Sequence, residues 1–228
     1  MRKIIFILVL LSQQIISYAQ PNDGRVIAGP TISYQNQQTN DFNATGYPNG
    51  YKQVLNNLTL TIQPGYFISD NFCMGVTASY IDNKENTLNP PKQFISEGKT
   101  YQYGLFARQY FKISEKFYFT NSFVITLETG TNNVTYSSFA PAPVSDSTAS
   151  LGMKGYFFSY APGVIYFITP HIGIKTNISG MSYHHTTVTT TAGYGTGNSY
   201  TEGIFTILSP LTSFNVGVDF FFGKAGEK

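Results

Sequence analysis

One short pattern occurs three times in the chain: Ile68-Ser69-Asp70-Asn71-Phe72, Ile113-Ser114-Glu115-Lys116-Phe117 and Ile168-Thr169-Pro170-His171-Ile172. Each copy is an apolar residue, a tight polar turn and a second apolar residue. The flanks alternate apolar and polar, which is the signature of a β-hairpin. Long polar stretches separate the copies. Short turns alternating with long connections form the layout of an eight-stranded meander. Behind a secretion signal, that layout predicts an all-β fold: an eight-stranded antiparallel up-and-down transmembrane β-barrel with short periplasmic turns and long extracellular loops.

The secretion signal is expected at residues 1–19, with residues 20–228 forming one barrel domain. Arg2 and Lys3 make a positive n-region, Ile4 to Leu11 an apolar core, and Ser17-Tyr18-Ala19 a small-x-small cleavage site. That core is shorter than the ~20 residues a spanning helix needs. No Cys follows the cleavage site, which argues against a lipid anchor.

The chain has 14 Lys and Arg against 12 Asp and Glu, and the two basic residues of the signal account for the excess. A near-neutral mature chain gives no reason to expect a nucleic-acid partner. Cys73 is alone, so no internal disulfide can form. Charged residues make up 11% of the chain, against ~25% in ordinary soluble domains. There are 19 Phe and 17 Tyr, as suits a surface facing lipid with ring-rich belts at its edges.

The alternation assigns faces strand by strand, since successive side chains on a strand point to opposite sides. Strand two places Leu58, Leu60, Ile62, Pro64, Tyr66 and Ile68 outward, and strand three Phe72, Met74, Val76, Ala78 and Tyr80. Strand four gives Tyr101, Tyr103, Leu105, Ala107 and Phe111. Strand five gives Phe117, Phe119, Phe123, Ile125 and Leu127, with Asn121 a misfit. In strand six both faces carry aromatics, and Tyr156, Phe158, Tyr160, Val164 and Tyr166 are taken as outward. Strand seven starts at Ile172 and alternates with Gly173, Lys175, Asn177 and Ser179. Strand eight puts Val216, Val218, Phe220 and Phe222 out. Strand one, near Arg25 to Tyr34, contains Pro30, which implies a bulge or an irregular edge. Loops are expected near 36–53, 83–99, 131–152 and 185–210. Within the last, Ile204 to Leu208 either extends strand eight or packs over the barrel mouth.

These features resemble the outer-membrane β-barrel domain family of small eight-stranded barrels. The resemblance rests on the signal ending at Ala19-Gln20, on Pro64-Gly65-Tyr66-Phe67 and Pro162-Gly163-Val164-Ile165-Tyr166-Phe167 before two of the turns, and on the aromatic last strand. It covers residues 24–222. It implies bacterial outer-membrane localisation, contact with outer-membrane lipid and lipopolysaccharide, help from barrel assembly machinery, and a monomer. It specifies no activity and no cofactor.

Four charged residues fall on the inward faces: Arg108, Glu128, Lys175 and Asp219. A buried charge needs a partner, so they are expected to form an ion-pair network plugging the lumen. Lys175 and Asp219 lie at similar depth on neighbouring strands. A second set is Ser182, His184 and His185. Adjacent histidines on a strand point apart and make a poor metal site. A hydrolytic arrangement would use Ser182 as nucleophile, a histidine as base and Glu128 as orienter. The function expected is a non-enzymatic structural or adhesive barrel without an open pore. The alternatives are a barrel enzyme acting on lipid A acyl chains and a secreted soluble binding barrel.

Overall fold

The computed structural model describes residues 24–41, 51–89, 92–138, 147–177, 180–192, 197–208 and 214–223. The expected signal segment, Ser179 and the tip around Ala140–Pro143 lie outside them. Ten strands follow in order: β1 (Val26–Asp41), β2 (Tyr51–Ser69), β3 (Phe72–Asn89), β4 (Lys92–Lys112), β5 (Phe117–Ser138), β6 (Ser147–Thr169), β7 (Ile172–Asn177), β8 (Gly180–Ala192), β9 (Ser199–Leu208) and β10 (Phe214–Phe222). All pairings are antiparallel. Each of β1 to β6 pairs with the next, β6 with β7, β7 with β10, and β10 with β1. The ring therefore closes.

The ring is eight strands around. β7 and β8 are two pieces of the expected strand seven, and β9 and β10 two pieces of strand eight. The two pieces of strand seven differ in register. β6 pairs Gly163↔Asn177 with one and Tyr160↔Met181 with the other, an offset of one residue. That offset reverses the alternation: Lys175 points inward at an odd number, and Ser182 at an even one. Of the two outcomes expected at Pro30, a bulge or an irregular edge, the second is found. The register with β10 runs unshifted from Ala28↔Phe220 to Thr31↔Gly217. The missing N–H leaves a gap in the ladder, not a kink.

The long loops are also corrected. β3 and β4 stay paired out to Asn89↔Lys92, and β5 and β6 to Tyr136↔Ser147. β8 and β9 pair from Gly180↔Leu208 to Thr189↔Ser199, so the Ile204–Leu208 segment extends its strand. Most of what reads as loop is β-ladder. Thr-rich polar sequence is good strand sequence once a neighbour is in register, and cross-strand contacts such as Gln53–Glu85 and Ser96–Asn132 hold it.

The outward faces form a continuous apolar belt. Ile32, Ile62, Val76, Leu105, Ile125, Phe158, Ile174 and Phe220 are all exposed, and they come from eight successive wall positions. Aromatics rim the belt. Tyr66, Phe111, Tyr166 and Phe222 lie at the turn end, and Tyr34, Tyr101, Tyr156 and Tyr183 towards the hairpins. A belt this extensive is unfavourable in water and natural in lipid. The chain is a membrane-spanning barrel. Tyr160 is not part of a rim: it lies within the belt, where its hydroxyl donates to Asn121 Oδ1 at 2.9 Å. That bond lets Asn121 sit on the apolar face.

Arg at position 218 is expected to cost ~2–4 kcal/mol near the belt's middle. Urea refolding of Val218→Arg into lipid vesicles measures it. Unchanged stability would show that Val218 does not face lipid.

Candidate functional site

The lumen is built in layers. At the turn end the inward positions are apolar and mostly aromatic. Ile27, Phe67, Phe106, Tyr110, Tyr118, Ile165, Phe167 and Phe221 pack there with Cys73, all almost fully buried. Ring centroids stand 4.9 Å apart for Phe167–Phe221, 5.3 Å for Phe67–Tyr110 and 5.4 Å for Tyr118–Phe167. Beneath this plug, Arg25 Nη2 donates to the Pro170 carbonyl at 2.9 Å and lies 3.2 Å from His171 Nδ1. The chain's first strand is thereby tied to the third turn.

Above the plug sits an ion triad. Asp219 is fully buried and bridges two cations. Lys175 Nζ donates to its Oδ1 at 2.6 Å, and Arg108 Nη1 to its Oδ2 at 2.8 Å. Arg108 also donates from Nε to Ser122 Oγ at 2.9 Å and from Nη2 to Gln63 Oε1 at 2.7 Å. Two glycines make the room. A Cβ on Gly29 would fall on Asp219 Oδ1, and one on Gly217 would lie 2.6 Å from Lys175 Cε. With these atoms desolvated, Asp219 is the shared partner, and removing it strands both cations.

Glu128 does not join the triad. It lies further along β5, opposite Gln102. Gln102 Nε2 donates to its Oε2 at 3.2 Å, and Thr186 Oγ1 to its Oε1 at 2.9 Å. His184 Nε2 contacts the same Oε1 and lies 2.6 Å from Thr186 Oγ1. The four expected lumen charges therefore divide into two layers. Between them is a cavity of about 330 Å³, walled by Thr61, Thr77, Ser122, Thr126 and Ser159 with Arg108 and Lys175 at its base.

Ser182 and His184 both face the lumen, as neighbours on one side of β8. Ser182 is buried, and His184's described partners are Glu128 and Thr186. His185 points the other way and stacks on Tyr156, with centroids 4.7 Å apart. Face assignment alone did not reveal the inward aromatics or Thr186. The aromatics carry a readable signal: runs such as Tyr66-Phe67-Ile68 and Phe220-Phe221-Phe222 are apolar on both faces just before the strand ends.

No family model matches the chain, and no curated protein matches it. Solved structures do resemble it. Neisserial surface protein A is 14% identical, with 87% of this chain and 99% of that one covered at a TM-score of 0.44. The outer membrane protein OprG from Pseudomonas aeruginosa is 10% identical, covering 90% and 99% at 0.49. The outer membrane protease OmpT from Escherichia coli is 10% identical, covering 89% and 97% at 0.41.

Removing Asp219 alone is expected to cost ~3–5 kcal/mol, because two cations are left buried without their partner; removing Lys175 leaves Asp219 paired with Arg108 and should cost less. Lys175→Met with Asp219→Asn should cost less than the two single changes together. A double-mutant cycle on refolding stability reads this coupling, and additive losses would exclude it. Gly29→Ala should destabilise the barrel, because its methyl displaces the Asp219 carboxylate.

Proposed function

We propose that this protein is an integral barrel of a bacterial outer membrane that neither conducts nor catalyses, and that its projecting hairpins bind something outside the cell. One observation carries the reading. The turn end of the lumen is filled from wall to wall by the aromatic plug and the Arg108–Asp219–Lys175 triad. Eight strands enclose a space just wide enough for side chains to fill.

The orientation follows from the asymmetry of the two ends. The tight turns at 70–71, 113–116 and 170–171 belong in the periplasm and the hairpins outside, as in other barrels of this build. β5 has 22 residues and β6 has 23, about twice what a tilted strand needs to cross a bilayer. The excess forms a stiff, Thr- and Asn-rich surface beyond the lipid. Lipid and lipopolysaccharide would contact the belt, and assembly machinery would insert the chain as a monomer.

A hydrolytic reading has the His184–Glu128 contact in its favour. Against it, His184 Nε2 is occupied by Glu128 and Thr186, which leaves Ser182 without that nitrogen as a base. The apolar belt argues against a soluble barrel.

Planar-bilayer recordings should show no steady large conductance, and a stable open channel would overturn the non-conducting reading. Ser182→Ala and His184→Ala should leave the host's lipid A masses unchanged. An acyl-chain difference lost with Ser182→Ala would make the protein an enzyme. A tag inserted within Ala140–Pro143, in the connection between β5 and β6, should be tolerated and should bind antibody on intact cells. Labelling only after the outer membrane is broken would reverse the orientation.

A further inference from the structure

The triad is not neutral. Arg108 and Lys175 bring two positive charges to the base of the lumen cavity, and Asp219 supplies one negative charge. Lys175 and Arg108 are nine-tenths or more buried, and both line the cavity. Glu128 offsets nothing here, since it is bound in the layer above by Gln102, Thr186 and His184. An excess buried charge is costly unless a counter-charge reaches it.

Hydrogen-bond capacity points the same way. Lys175 has three N–H donors and spends one on Asp219. Arg108 spends one Nη2 hydrogen on Gln63 and has one left. Thr126 lies in the cavity wall, 2% exposed, and its Oγ1 has no hydrogen-bond partner. A buried hydroxyl without a partner is uncommon in a folded protein. The base of the cavity thus presents unused donors, an excess positive charge and room for several heavy atoms.

We propose that the cavity is a binding site for a small monocarboxylate, seated on Lys175 and Arg108 at its base. One carboxylate restores neutrality and takes up the donors that these two side chains leave unused. The route in is from the hairpin end, where the His184 side chain is 38% exposed. The plug closes the other end, so the solute is held and does not pass through. This deepens the non-conducting reading but does not depend on the hairpins binding anything.

The test is acetate binding to the full barrel, extracted in detergent and shown to be folded by heat-modifiable gel mobility. Calorimetric titration with sodium acetate at constant ionic strength should give saturable binding at one site. Lys175→Gln should weaken it at least about tenfold, the worth of one charge-assisted hydrogen bond. Acetamide, the neutral isostere, should bind at least about tenfold more weakly than acetate and keeps the test decisive if Lys175→Gln does not fold. Lys154→Gln, on the outer wall, should leave acetate binding unchanged. No saturable binding to the folded protein, or equal affinity for acetamide, overturns the proposal. Binding without any conductance leaves the non-conducting reading intact, whereas binding with a steady acetate current would overturn that reading alone.

Discussion

In hydrocarbon no water is present to satisfy a backbone N–H or C=O, so a strand can cross a bilayer only if both its neighbours are strands. Everything else in this structure depends on meeting that condition where the first and last strands join. Val26↔Phe222, Ile27↔Phe221 and Ala28↔Phe220 make the seam at the turn end. Arg25 reinforces it by donating to Pro170 and to the Phe221 carbonyl. The closure tolerates defects that an open edge could not. Pro30 leaves a gap and the two pieces of strand seven are offset by one residue, yet the ladders on either side continue.

Closing eight strands fixes a narrow interior, and the interior then dictates its own chemistry. Side chains from opposite walls meet across it. Phe67 of β2 stacks against Tyr110 of β4, and Arg108 of β4 reaches Asp219 of β10. Pairs that are remote around the ring thus become direct contacts. A residue too small or uncharged at one of these positions would leave a void or an unpaired ion. Gly29 and Gly217 show the reverse constraint: the triad fits only because two wall positions carry no side chain.

Much of this was legible in the residues. Alternation assigned the outward faces of strands two to six and eight, because lipid selects one face strongly. Counting inward from a shared end brought Lys175 and Asp219 to the same depth, because neighbouring antiparallel strands keep register. Arg108 could not be placed beside them that way, since β4 and β10 are not neighbours and meet only across the lumen. For the same reason Glu128, on the correct face, was expected in a network that it does not join. The one-residue offset between Lys175 and Ser182 was hidden because a register offset appears only against the partner strand. The hairpin extensions read as loops because polar composition marks solvent exposure, not the absence of a ladder. The plug was missed because its residues sit beside outward aromatics, and alternation carries no information where both faces are buried in apolar surroundings.

Cys73 gives direct access to the central claim that the turn end of the barrel is sealed. It is the chain's single cysteine, it is fully buried, and it packs in the plug, in register with Arg108 on the neighbouring strand. A small, charged, water-soluble methanethiosulfonate reagent can be applied to the folded protein in vesicles and again after denaturation. The account expects no modification in the folded barrel and complete modification once it is unfolded. Rapid labelling of folded protein would mean that water reaches the plug, and would contradict a sealed lumen.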